Sequence, residues 1–297
     1  MYQIPNKVDF YITNVCNLTC QNCNRFNNLN FKGWQDWADY EPIYEQWGKL
    51  VELKAITIMG GEPFLNPTLK DWITGLNRIF GIEVQVLTNG TRLLRAPGVY
   101  DAISGFCRSK NGRAPNHIGV SLHIPDEFEQ LRSDIHEFLR GDVTEEFGKD
   151  KNKWNADWHF RDRYGVQINV YTVDHFSQAA IIPLGNGAYT LHNNNPAESH
   201  AECSFARWKS YHFIRGQLFK CGPSALMPEF DLQTPFDIND EDRVLLHSYK
   251  PLGVDNFAEY HQEFFTNLDN PIAQCKFCPK SGPMEKIYPI RKGSKPN

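Results

Sequence analysis

The spacing of apolar positions changes several times along the chain. Residues 8–15 form an apolar, β-rich run. From residue 34 to 53, Trp37, Tyr40, Ile43, Tyr44, Trp47, Leu50 and Val51 recur at helical spacing. Residues 55–59 predict a short buried strand that stops at Gly60-Gly61. Residues 69–80 predict a helix with Leu69, Trp72, Ile73, Leu76 and Phe80 on one face. The alternation continues with strands at 84–87 and 118–122 and helices at 99–107 and 128–139. Strands five and six are expected at 166–173 and 189–192. Short apolar runs between helical patterns predict a parallel sheet of βα units. Six units are too few for a closed eight-stranded barrel. The expected fold is therefore α/β, an open, partial (βα)6 TIM-like barrel.

Residues 140–163 break this rhythm with charges and with Trp154, Trp158, His159 and Phe160. They read as a solvated segment with an aromatic anchor, or as a lid over the barrel mouth. After about residue 195 the alternation stops. Asn193-Asn194-Asn195-Pro196 reads as a linker. The expected organisation is a partial barrel over 1–195 and a small α+β domain over 196–297. The basic stretch 286–297 reads as a solvated tail.

The chain has 297 residues, 41% of them hydrophobic and 22% charged, as in a globular enzyme. A net charge of −4 gives no basic field for nucleic acid. No apolar run is long enough to span a membrane, and the first residues lack a signal-peptide pattern. The cytoplasm is the expected compartment. Eight cysteines there read as metal ligands or catalysts rather than disulfides.

Cys16, Cys20 and Cys23 crowd the loop after the first strand, at the end of such a barrel where catalysis occurs. Three soft thiolates on one tight loop suit an iron–sulfur cluster, whereas zinc usually takes cysteines in pairs. A 4Fe–4S cluster with three protein ligands keeps one iron open to a small molecule. Gly60-Gly61-Glu62-Pro63 follows the second strand. CxxxCxxC followed by GGEP resembles the radical S-adenosylmethionine (radical SAM) superfamily, over roughly residues 8–195. The resemblance implies that Gly60, Gly61, Glu62 and Pro63 meet the methionine part of SAM. It also implies that Asn89 and Ser121, at later strand ends, contact SAM, although both also suit turn and cap chemistry. An external electron donor such as a flavodoxin or ferredoxin is implied as well. The position before the third cysteine, usually aromatic in that family, is Asn22 here.

A second set, Cys203, Cys221, Cys275 and Cys278, lies in the last third. Residues 213–221 read as a hairpin turning at Gly216 that brings Cys221 towards Cys203. The set resembles the auxiliary-cluster region of the SPASM/Twitch group, in its short one-cluster form. The radical SAM dehydrogenases of aminoglycoside biosynthesis share that arrangement. A four-cysteine zinc knuckle would satisfy the same thiols. Four thiolates would close a second 4Fe–4S cluster and suit it to electron transfer or structure rather than substrate ligation.

Cys107 reads as a buried helical thiol. His123, Tyr171 and Arg207 are candidate catalytic residues, and Asn169, His192 and Trp208 are similarly placed. The leading expectation is an oxidoreductase that cleaves SAM, abstracts a hydrogen atom and passes one electron to the auxiliary cluster. Its substrate would be a small molecule or a peptide. Peptide modification and a non-catalytic iron–sulfur electron carrier are the alternatives.

Overall fold

The computed structural model describes residues 1–29, 31–109, 116–148, 156–209, 211–280 and 285–287. Its first half alternates β1 (Tyr2–Tyr11), α1 (Trp37–Leu50), β2 (Val51–Met59), α2 (Leu69–Phe80), β3 (Val84–Thr88), α3 (Val99–Ser109), β4 (His117–Leu122) and α4 (Phe128–Phe138). Then come β5 (Val143–Gly148), β6 (Trp158–Asp162), β7 (Gln167–Thr172), β8 (His175–Phe176), β9 (Ile181–Gly185) and β10 (Ala188–Leu191). The remainder holds α5 (Pro196–Ala201), α6 (Ser204–Trp208), β11 (Tyr211–Ile214), β12 (Gln217–Phe219), α7 (Gly222–Gln233), α8 (Asp240–His247), α9 (Phe257–Thr266) and β13 (Glu285–Lys286).

The main sheet runs β12-β11-β1-β2-β3-β4-β7-β6-β5. Strands β11, β1, β2, β3, β4 and β7 run parallel to one another, β12 and β6 run antiparallel to them at the two sides, and β5 pairs antiparallel with β6. This is an α/β partial barrel, open at both edges. The sixth parallel strand is not 189–192. Those residues hairpin back on β9 as β10, and the sixth place falls to β11, against β1.

Strand β2 starts earlier than expected. Val51-Glu52-Leu53-Lys54 alternates buried and exposed positions, a period of two hidden by the preceding helical pattern. Residues 143–148 and 158–162 are strands rather than lid or loop. Strands β5 and β6 pair with each other and extend the sheet beyond β7. Charged Glu145 and Glu146 on the outermost strand suit an edge, where they pair with Arg161 and with Arg132 and His136. Trp154 and residues 288–297 lie outside the described residues.

An aromatic layer joins the α1–α2 face to the sheet. Trp37 meets Trp72 edge-on at 5.0 Å, and Trp47 and Phe10 each lie 4.9 Å from Phe213. Each such pair contributes about 0.5–1.5 kcal/mol beyond its buried area. Trp47 Nε1–H donates to the Gly216 carbonyl at 2.8 Å, tying α1 to the β11–β12 turn. Gly216 takes φ +73°, and a Cβ there would lie 2.7 Å from Ile43 Cγ2. Glycine thus meets both the turn geometry and the packing. Cys107 is fully buried in α3, as expected.

Candidate active site and its companion thiol set

At the C-terminal end of β1 the chain is clamped to the end of β2. Gly61 N–H donates to Thr13 O at 2.7 Å and Glu62 N–H to Val15 O at 2.8 Å. A Cβ at Gly60 would fall 2.5 Å from Thr13 O, and one at Gly61 2.2 Å from Val15 O. The two glycines therefore let β2 approach the protein's own cysteine loop. Larger side chains would displace Cys16, which starts the thiol set.

Glu62 is completely buried. Its carboxylate accepts hydrogen bonds from Phe64 N–H at 3.0 Å, Thr88 Oγ1 at 2.6 Å and Asn89 N–H at 2.7 Å. Burial raises its pKa, opposed by these donors. Glu62 thus joins the ends of β2 and β3. Pro63 opens the buried turn Pro63–Leu65 just behind it. Asn89 continues the network: its Nδ2–H group lies 3.1 Å from Asn17 Oδ1 and 3.8 Å from Cys16 Sγ. Asn17 in turn donates to Thr91 Oγ1 at 2.8 Å, and Leu18 N–H points at Cys16 Sγ at 3.5 Å.

Cys16, Cys20 and Cys23 line one cavity of about 240 Å³. Its other walls include Arg25, Met59, Gly60, Gly61, Asn89, Ser121, His123 and Phe176; Glu62 and Pro63 are not among its lining residues. Burial drives the Cys16 thiol pKa up, with a contribution from Glu62, and pushes Cys20 up to about 12. Ligating a metal must therefore displace protons. Asn22 sits at φ +59°, a left-handed conformation asparagine tolerates better than an aromatic residue, and it donates to Glu285. That accounts for the missing aromatic.

Arg25 is buried on this wall. Its Nη2 donates to Met59 Sδ at 3.1 Å and lies 4.0 Å from Asp9 Oδ2, while Nη1 has no hydrogen-bond partner among the described residues. Its guanidinium also sits over the Phe205 ring, 5.1 Å from the centroid. Phe205 belongs to the wall of a second cavity.

That second cavity, about 140 Å³, is lined by Cys203, Cys221, Cys275 and Cys278 together with His200, Phe205 and Lys220. Asn24 lines both cavities. Cys203 and Cys221 occupy the N-cap positions of α6 and α7. Cys275 lies in the short helix Ala273–Phe277, and Cys278 caps its end. Asn194 Nδ2 and Ser199 Oγ each donate to Cys278 O at 3.0 Å. The Asn-rich segment is thus no linker: Asn194 holds the CxxC turn, and Asn195 caps α5 by accepting from Ala197 N–H. Burial pushes the Cys221 thiol up to about 11 and raises Cys275 and Cys278 as well. Among the described residues no group of three or more His, Cys, Asp or Glu is gathered for a single metal ion.

The family model of the Radical SAM superfamily matches residues 10–147, the stretch that holds the three-thiol loop and the glycine pair. Over this stretch the chain is similar to the radical SAM superfamily. Among solved structures, the chain is similar to BtrN in complex with AdoMet and 2-DOIA, at 14% identity over 95% of each chain and a TM-score of 0.48. It is also similar to Streptococcus suis SuiB bound to S-adenosylmethionine, at 10% identity over 93% of this chain and 72% of that one, with a TM-score of 0.41. A third, native anSMEcpe with bound AdoMet and Cp18Cys peptide, shows 15% identity over 58% of this chain and 44% of that one, with a TM-score of 0.36. These likenesses are distant. No curated protein sequence matches the chain.

The radical SAM cofactors fit these residues. Three thiols face one cavity, and the Cys16 sulfur has N–H groups directed at it, which favours a thiolate ligand. Polar groups of Asn89, Ser121 and Arg25 line the remaining space. Ser121 lies opposite Tyr171 in the β4–β7 register; Tyr171 is half-buried, with its pKa raised by burial, and does not line the cavity. His123 does line it. Its Nδ1 lies 3.0 Å from Val173 O, so Nδ1 carries the proton and Nε2 is the acceptor nitrogen. Burial lowers its pKa.

Arg207 lines neither cavity; it is exposed and 3.7 Å from Glu202. Asn169 is committed to His159 Nδ1 at 2.7 Å, and His192 Nε2 lies 3.0 Å from Ala179 O. The Trp208 side chain lies outside the described residues. Sequence reasoning missed Asn17, Asn24, Arg25, Asn194 and Lys220. Each lies within a few residues of a cysteine or beside α5, and adjacency to the thiols was the available signal.

No helix among the described residues is long and apolar enough to cross a membrane.

Proposed function

We propose that this protein is a cytoplasmic radical SAM oxidoreductase that removes two electrons from a small-molecule or peptide substrate. Cys16, Cys20 and Cys23 would hold one 4Fe–4S cluster. Cys203, Cys221, Cys275 and Cys278 would hold a second, in a Twitch-like unit over about 196–297 whose β11–β12 hairpin also completes the barrel sheet. Gly60, Gly61, Asn89 and Ser121 would face SAM, with Glu62 and Pro63 holding that wall in place. When bound, the first cluster and SAM supply hydrogen-atom abstraction from a substrate carbon. Summed, SAM and substrate give methionine, 5′-deoxyadenosine, oxidised product and one proton. The electron supplied at the first site by a flavodoxin- or ferredoxin-type donor is recovered at the second.

The protein's own share is orientation and proton handling. His123, neutral near pH 7 because burial lowers its pKa, would accept the released proton at Nε2. Arg25 and Phe205 pack between the two thiol sets, so the sites are near neighbours. The observation that carries this reading is the shared wall: Asn24 lines both cavities.

The test is anaerobic reconstitution of the parent and of a Cys275→Ala/Cys278→Ala variant with SAM, reductant and a metabolite and peptide library. The parent should bind about eight irons, four per cluster. The variant should keep 5′-deoxyadenosine formation while losing oxidised product. Four irons and one zinc in the parent, or oxidised product at the parent rate from a folded variant lacking the second cluster, would overturn the reading.

A further inference from the structure

A buried ammonium stands among the C-terminal thiols. Lys220 is 7% exposed, directly precedes Cys221 and lines the same cavity as all four cysteines. Its backbone is fixed by the N–H bond to Tyr249 Oη at 3.1 Å, at the end of β12. Its Nζ donates to the Asn270 carbonyl and lies 3.4 Å from His200 Nε2. Both of those partners are neutral acceptors. The acids nearby are engaged elsewhere and exposed: Asp269 pairs with Lys209 at 2.8 Å, and Glu202 with Arg207 at 3.7 Å. Lys280, the other lysine on this cavity, is exposed and pairs with Glu198 at 2.5 Å. The four thiols that line its cavity are thus the groups this side chain faces.

Placing a lysine here has a cost. Taking an ammonium out of water is unfavourable by several kcal/mol unless opposite charge repays it. Neutral acceptors repay part. Four thiolates around a 4Fe–4S core carry net negative charge, and reduction adds one more negative charge. A cation in the same low-dielectric pocket favours the reduced form over the oxidised one.

We propose that Lys220 sets the reduction potential of the cluster held by Cys203, Cys221, Cys275 and Cys278, holding it high enough to accept an electron from a substrate radical. The inference rests on the second cluster of the proposed function. In that step the substrate radical loses one electron to the cluster and one proton to a base, and the cluster is reduced by that one electron. Lys220 acts through the cluster and touches no substrate, so it is a positioning residue for charge.

The experiment is an anaerobic redox titration of the full chain, followed by electron paramagnetic resonance. A Cys16→Ala/Cys20→Ala/Cys23→Ala background leaves only the second cluster to be observed. Lys220→Met and Lys220→Gln should each lower the midpoint potential by a tenfold shift in the one-electron equilibrium or more, about 59 mV. Lys220→Arg, which keeps the charge, should stay near the parent. An unchanged potential in a neutral variant that retains its iron would overturn the proposal alone. Loss of the cluster from both neutral variants, with retention in Lys220→Arg, would replace a potential-setting role by a structural one. A parent with no second cluster would overturn both the function and this proposal.

Discussion

The two thiol sets are built in opposite ways. The N-terminal set occupies one short loop, and its frame consists of strand ends bridged by the Glu62 carboxylate. The C-terminal set comes from three distant segments, and its frame consists of helix starts and a CxxC turn held by Asn194 and Ser199. A local loop needs little entropy to close, so its support can be spent on orientation. A set gathered over long chain segments needs a clip, and a bound metal group can supply it. The first site is expected to be preformed, and the second to be completed by what it binds.

That contrast is most exposed by removing each set. Cys16→Ala/Cys20→Ala/Cys23→Ala should reduce 5′-deoxyadenosine formation to background, measured by chromatography. Total iron should fall from about eight to about four, and melting temperature should change little. Cys275→Ala/Cys278→Ala should do the reverse, sparing 5′-deoxyadenosine and costing stability. The loop from Cys221 to Cys275 spans about 50 residues, a length at which a cross-link is worth about 4 kcal/mol in chain-entropy terms. Equal losses of melting temperature in the two variants would erase the distinction.

Acid should separate the regions next. Asp231 in α7 is buried. Burial alone would raise its pKa, but Arg243 at 2.5 Å, His247 at 2.8 Å and Phe236 N–H at 2.8 Å hold it below its ordinary value of 3.8. A carboxyl lowered on folding contributes stability above its unfolded pKa and loses it as pH falls through the folded one. Glu62 is raised above 4.5, mainly by burial, so its contribution is full in acid and declines as pH rises. Hydrogen exchange below pH 4 should therefore open α7 and α8 before the β2–β3 end. Asp231→Asn should move that opening towards neutral pH, at a cost of about 1–3 kcal/mol, because Arg243 is partly exposed and keeps its bond to the Phe236 carbonyl. The smallest effect is expected at Ser121→Ala. Loss of one hydrogen bond of about 1 kcal/mol should raise the SAM dissociation constant about fivefold, read by equilibrium binding.

Legibility in the sequence followed the same divide. Helix α2 runs from Leu69 to Phe80, the span its apolar face predicts, because one stripe packs on one sheet. The three-thiol loop and glycine pair were readable because their chemistry is contiguous. Strand β5 was not, since a sheet edge carries charge where a buried strand carries valine. The pairing of β11 with β1 was invisible because nothing local in Tyr211–Ile214 names a partner about 200 residues upstream. Glu62 was expected at the ligand. Its inward turn depends on donors from Thr88 and Asn89, which a motif does not display.

The β11–β1 pairing also has a consequence for synthesis. Strand β1 gains β2 on one side soon after translation begins, but its other edge waits for Tyr211–Ile214. At about 5–20 residues per second, the ribosome takes roughly 10–40 s to deliver them. Through that interval the nascent chain presents a strand carrying buried Val8 and Phe10 with an unfilled row of backbone donors and acceptors. That open edge is a template for pairing until β11 fills it. It also makes any fragment that stops before β11 prone to stick to its own copies.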